Sequence, residues 1–174
     1  MTTERFGIFK FKGQDATIIG PDLKPGDMAP DFTVQNLDWA PFHGLADTPG
    51  KVRIIAAVLS LETDVCDRET HRFNMEAAAL SKDIAILVIS MDLPYTQKRW
   101  CGAAGVEQLT VLSDHMTADF GVKYGVLIKE ARVFRRATFV VDAAGKITYA
   151  AYTPALGVEP DYALVLAAAQ AALK

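Results

Sequence analysis

Cys66 and Cys101 are the only two cysteines among the 174 residues, and thiol chemistry is the first possibility they raise. Around the first, Leu59–Asn74 reads L-S-L-E-T-D-V-C-D-R-E-T-H-R-F-N: the close of an apolar run, then a helical pattern. Thr63 is expected to be the N-cap, its hydroxyl accepting from an amide two or three residues on. Cys66 then falls in the first turn, where backbone N–H groups lack intrahelical partners and the positive end of the helix dipole lies. Thiolates are stabilised at such positions, and a cysteine there can fall well below its free value of about 8.5. A buried, inert side chain is the commoner fate of cysteine. A strand-to-helix turn is a poor place for one, so Cys66 reads as a reactive thiol.

The chain length fits one domain over 1–174. Hydrophobic content of 51% and 22% charged residues describe a globular protein. A net charge of −3 argues against a nucleic-acid or anionic-membrane surface. No apolar run reaches membrane-spanning length. M-T-T-E-R-F-G-I-F-K-F-K lacks the apolar core and cleavage site of a secretory signal, so a cytoplasmic protein is expected. In a reducing compartment a pair of thiols is more often transient and catalytic than structural. Without a CxxC, and with only His43, His71 and His115, no metal site is expected, and no cofactor is called for.

The elements that must position the thiols follow from periodicity. Residues 6–20 alternate about Gly13-Gln14-Asp15, an N-terminal β-hairpin. Asp31–Leu37 reads as a short strand, and Trp39–Gly50 as a loop. Lys51–Ser60 and Asp83–Ser90 are nearly continuous apolar runs, as in strands covered on both faces. Between them a helix is expected to turn Val65, Phe73, Ala77 and Leu80 to one side. Together they make a right-handed βαβ unit. Thr96–Ala104 reads as a helix carrying Cys101, Gln108–Ser113 as a strand, and Met116–Lys123 as a further helix. Arg135–Val141 and Lys146–Tyr152 flank Asp142-Ala-Ala-Gly145 as an antiparallel pair. Pro160 then opens a last helix, with Tyr162, Val165, Leu166, Ala169 and Leu173 on a shared face. A βαβ half followed by a ββα half is the thioredoxin-type order. The fold class is therefore α/β, a central mixed sheet flanked by helices with an N-terminal hairpin extension.

Several longer motifs point further: D-M-A-P-D-F-T, T-x-V-C followed by R-F-N, I-S-M-D-L-P, Q-K-R-W-C-G, Y-G-V-L-I-K, R-A-T-F-V-V-D and E-P-D-Y. With these the chain resembles the peroxiredoxins, and most closely the thiol peroxidase branch with two cysteines in one chain. The resemblance implies that Cys66 is the peroxidatic and Cys101 the resolving cysteine, with Thr63 and Arg136 completing the site. It implies an intrachain Cys66–Cys101 disulfide, a hydroperoxide substrate, recycling by thioredoxin or a similar dithiol protein, and a homodimer. Against the family pattern P-x-x-x-T-x-x-C, this chain carries Leu59 at the proline position, and Asp64 where a small or apolar residue is usual. Both are expected to loosen the pocket. A thiol redox sensor or relay with slow turnover is the alternative that Leu59 favours.

The implied reaction sets requirements. Ionising a thiol of pKa about 8.5 completely gains only ~10–30-fold at neutral pH. Most of the acceleration must come from stabilising the departing oxygen, whose conjugate acid in the case of hydroxide has a pKa of about 15.7. Fixed donors do that best, and Arg136 offers a planar, permanently charged fork. Strand alternation sends Arg135 and Arg136 to opposite faces, and the family pattern selects Arg136. Glu62, Asp67 and Glu69 would oppose a thiolate if they faced it, with Arg68 and Arg72 as possible offsets. His71, five residues along the helix, is poorly spaced to act on Cys66. Lys98 and Arg99 are candidates for favouring the Cys101 thiolate, and Trp100 is read as packing.

Overall fold

The computed structural model describes residues 2–77 and 79–174. The alternating N-terminus folds back as β1 (Glu4–Phe11) and β2 (Gln14–Ile19), paired antiparallel. Lys12 and Gly13 both have positive φ at the tight turn, so the reversal lies slightly earlier than Gly13-Gln14-Asp15. The hairpin is more than an appendage. Through β2 it joins β8 (Leu127–Ile128) and β9 (Val133–Phe134) in a four-stranded sheet. These two strands are too short for any periodicity to reveal. Gly20 and Gly125 permit the junction: a Cβ at either would overlap a carbonyl, of Val122 or Pro21.

The larger sheet holds seven strands in the order β11-β10-β5-β6-β7-β3-β4. Its centre is β5 (Val52–Ala57), β6 (Ile84–Ser90) and β7 (Thr110–Ser113), all parallel. The β5 and β6 runs are apolar because both faces of these strands are covered. On one side β10 (Ala137–Val141) pairs antiparallel with β5, and β11 (Ile147–Tyr152) with β10. On the other, β3 (Thr33–Gln35) pairs with β7 and with β4 (Pro41–His43). The segment read as a loop, 39–50, therefore contains a strand, which its Pro41 had obscured.

Four helices complete the described residues: α1 (Asp64–Ala77), α2 (Pro94–Ala104), α3 (Asp119–Lys123) and α4 (Tyr162–Ala171). Pro94 opens α2 at its first turn, two residues ahead of the expected start, since proline lacks only a donor that goes unused there. Asp161, not Pro160, caps α4, accepting from Leu164 N–H at 3.1 Å. Strand alternation divides the core. Ile55, Ala57, Leu87, Ile89 and Phe139 face the aromatic side with Phe32, Phe120, Tyr124 and Phe134. Ile54, Ala56, Val58, Ile86, Val88 and Val140 face α1, α2 and α4, with Cys66, Phe73, Trp100 and Val165. Both cysteines contribute to this second cluster, Cys66 fully buried and Cys101 half-buried.

Candidate active site

β5 ends at Ala57, and a short turn leads into α1, which places Cys66 in that helix's first turn as its spacing requires. The buried face of α1 is Cys66, Glu69, Thr70 and Phe73. Val65, expected on that face, is instead only half-buried, and Leu80 lies beyond the helix. Register brings the partner. Ala137 pairs with Ala57, so Arg136 arrives at the end of β5 from which the turn departs. Arg136 Nη2 donates to Cys66 Sγ at 3.2 Å and to the Leu156 carbonyl at 3.2 Å. Its Nη1 pairs with Glu69 Oε2. Among the described residues its buried Nε has no partner, which leaves one donor of the fork uncommitted.

Of the carboxylates that would oppose a thiolate if they faced it, Glu69 does share the buried face of α1 with Cys66, but it is engaged with Arg136. Burial pushes its carboxyl up to about 7, with Arg136 pulling the other way. Burying a charged pair is costly, and removing one partner alone leaves an uncompensated charge. The cost is tolerated because the pair fixes the guanidinium plane against the sulfur. The signal was available: Glu69 stands three residues after Cys66, hence on the same helical face.

The other charges also find partners away from the sulfur. Glu62 pairs with Arg99, Asp67 accepts from Trp100 Nε1 at 2.9 Å, and Asp64 is exposed. Arg68 pairs with Glu159 at 2.9 Å and Arg72 with Glu76 at 2.8 Å, so neither offsets charge at Cys66. Lys98 reaches Asp38 at 2.8 Å, and neither it nor Arg99 bonds Cys101. Burial raises the Cys101 thiol above its ordinary range. His71 packs on Trp100, ring centroids 5.4 Å apart, away from the sulfur. Arg135 points elsewhere, as alternation requires. It donates to the Gly125 carbonyl, pairs with Asp22 and lies 4.2 Å from the Tyr152 ring centre.

Thr63 departs from its expected role. Its carbonyl accepts from Asp67 N–H at 2.9 Å, as a cap position should, but its hydroxyl donates to the Ser60 carbonyl at 2.9 Å. The hydroxyl proton is committed there, and the oxygen keeps its lone pairs free to accept. The structure thus brings Cys66 and Arg136 into contact and puts Thr63 in the turn three residues before the thiol. Cys101 lies across on α2, tied to α1 through the residues beside it.

Comparisons with known proteins address the family and the fold. The pattern of the AhpC/TSA family matches residues 25–150, from the segment before β3 into β11. The chain belongs to the AhpC/TSA family. The thiol peroxidase of Oceanobacillus iheyensis is 51% identical over 156 residues, covering 90% of this chain and 94% of that one. The thiol peroxidase of Bacillus subtilis is 46% identical over 164 residues, covering 94% and 97%. Among solved structures, a peroxiredoxin-like protein from Aquifex aeolicus superposes with a TM-score of 0.87 at 35% identity, covering 98% of each chain. The fold is accordingly the thioredoxin-like fold of the peroxiredoxins, with the mixed sheet and flanking helices expected. Among the described residues no helix is long and apolar enough to cross a membrane.

Proposed function

We propose that Cys66 is the peroxidatic cysteine of a thiol-dependent peroxidase and Cys101 its resolving partner. That the chain is an oxidoreductase acting on peroxide through a thiol follows from its family and from relatives named thiol peroxidase. The observation that carries the assignment to Cys66 is its contact with Arg136, braced from behind by a buried carboxylate. In the first step the Cys66 thiolate attacks one peroxide oxygen, the O–O bond breaks, and Cys66 becomes a sulfenic acid. The other oxygen leaves as hydroxide or alkoxide and is protonated to water or an alcohol. Arg136 stabilises the developing negative charge with donors already in place. The Thr63 oxygen accepts the peroxide O–H and so orients the substrate.

In the second step the Cys101 thiol attacks the sulfenic sulfur, releases water and closes the intrachain disulfide. Burial keeps Cys101 protonated, and its helix is held against α1, so α2 must loosen before the sulfurs meet. A thioredoxin-like dithiol protein then reduces the disulfide by thiol exchange. The same reading takes 1–174 as a single peroxiredoxin domain, cytoplasmic and homodimeric as in the family. Steady-state peroxide consumption with a thioredoxin and its reductase tests it. Sustained turnover with hydrogen peroxide and an organic hydroperoxide is expected. A single stoichiometric oxidation without turnover would favour the redox relay.

A further inference from the structure

The geometry points to Asp92 as a positioning residue for the peroxide step, acting through Ser60 on Thr63; this rests on the roles proposed above for Cys66 and Thr63. Asp92 stands between the end of β6 and the start of α2. An aspartate just ahead of a helix would ordinarily cap it. Here α2 has no side-chain cap, and the Asp92 carboxylate turns the other way, toward the segment leading into α1. Its Oδ1 accepts from the Ser60 hydroxyl at 2.7 Å, and its Oδ2 from the Leu61 N–H at 2.9 Å and the Ser90 hydroxyl at 2.8 Å. The Ser90 hydroxyl also receives Gln97 Nε2 at 3.1 Å, and the Asp92 carbonyl receives the Ser113 hydroxyl at 2.6 Å. Ser90, Gln97 and Ser113 are buried, so the carboxylate is anchored to the sheet.

From Asp92 the path to the site is two bonds long. The Ser60 carbonyl takes both the Thr63 hydroxyl, at 2.9 Å, and the Thr63 N–H, at 3.1 Å. Holding Ser60 and Leu61 therefore sets where the Thr63 oxygen stands. A proline at position 59 would stiffen this segment by fixing its own φ; Leu59 does not. The carboxylate takes over that task from outside the turn. Arg136 and its contact with Cys66 do not pass through Asp92, so the inference separates orientation of the peroxide from activation of the thiol.

The test uses the reduced full chain and measures two reactions at Cys66 across pH: oxidation by hydrogen peroxide and alkylation by iodoacetamide, with the site read by peptide mass. Iodoacetamide needs the thiolate but no oriented O–O bond. Asp92→Ala is expected to slow the peroxide reaction by about 10–100-fold, the scale of a small misplacement of a reacting group. Alkylation and its pH midpoint should change little. Asp92→Asn should recover most of the peroxide rate, because its amide oxygen can accept from Leu61 and Ser90 and its NH2 can donate to Ser60. Ser60→Ala, which removes one of the three bonds to the Asp92 carboxylate and a longer one from Glu62 N–H at 3.3 Å, should give a smaller loss and carries the test if Asp92→Ala does not fold. Equal losses in both reactions, an Asn variant as slow as Ala, or no change would overturn the inference. A wild-type Cys66 no faster with peroxide than an ordinary thiol would instead remove the functional reading itself.

Discussion

At Arg136 one guanidinium bonds a sulfur, a carboxylate and a carbonyl, and each bond uses the planar fork in a way an ammonium cannot copy. Arg136→Lys keeps the charge but loses that geometry. The second-order rate of Cys66 oxidation should fall by about 100-fold, the usual cost of removing one transition-state donor. Arg135→Lys is the control. It gives up contacts to Gly125, Asp22 and Tyr152, so thermal stability should drop while the peroxide rate holds. Stopped-flow oxidation and thermal melts of both variants check this; a larger rate loss at 135 would reverse the assignment. The position of Cys66 at a helix start follows from local spacing, and strand alternation separates Arg135 from Arg136, but it was the family resemblance that singled out Arg136 and gave Thr63 a place in the site. The three-residue spacing of Cys66 and Glu69 gives their shared helical face, but neither the pairing of Glu69 with Arg136 nor the direction of the Thr63 hydroxyl. A buried carboxylate looks the same in sequence as a solvated one, and only its partner on a distant strand tells them apart.

Between the two cysteine helices the contacts run through their neighbours in sequence: Asp67 beside Cys66 bonds Trp100 beside Cys101, and Glu62 pairs with Arg99. The Arg99 pair is exposed and contributes little. The indole bond is partly buried, and losing one such bond costs about 1 kcal/mol. Trp100→Phe should therefore release α2 more readily and speed disulfide formation by roughly five-fold, with the peroxide step unchanged. Dimedone trapping against time measures the sulfenate's lifetime, and a longer lifetime would contradict this role. Because burial raises the Cys101 thiol, the disulfide step should also keep accelerating above pH 8.5, past the ordinary thiol midpoint. Long periodic elements such as β5, β6 and α4 were legible in sequence because one face pattern spans each. The two-residue strands β8 and β9, and β4 beginning at a proline, exist only through pairing with partners far along the chain.

Across the whole molecule, pH acts on buried carboxylates away from the thiol as well as near it. Asp114 is buried, with Oδ2 accepting from Gly121 N–H at 2.8 Å and Oδ1 without a partner among the described residues, and burial pushes it up to about 7. A carboxyl raised in the folded state holds its proton more tightly there than in the unfolded chain. Its contribution is thus most favourable below pH 4 and is lost as pH climbs toward 7, at no more than ~1.4 kcal/mol per pH unit. Asp114→Asn cannot lose that proton, so its melting temperature relative to wild type should rise between pH 5 and pH 8. An unchanged difference would show Asp114 to be ionised throughout. The proposed chemistry rests on a division of labour between the two thiols. The direct measurement is a single-turnover reaction of Cys66→Ser and Cys101→Ser with one equivalent of hydrogen peroxide. Cys101→Ser should consume it at close to the wild-type rate and leave a dimedone-reactive sulfenic acid on Cys66, and Cys66→Ser should consume none. Rapid consumption by Cys66→Ser, with none by Cys101→Ser, would contradict it.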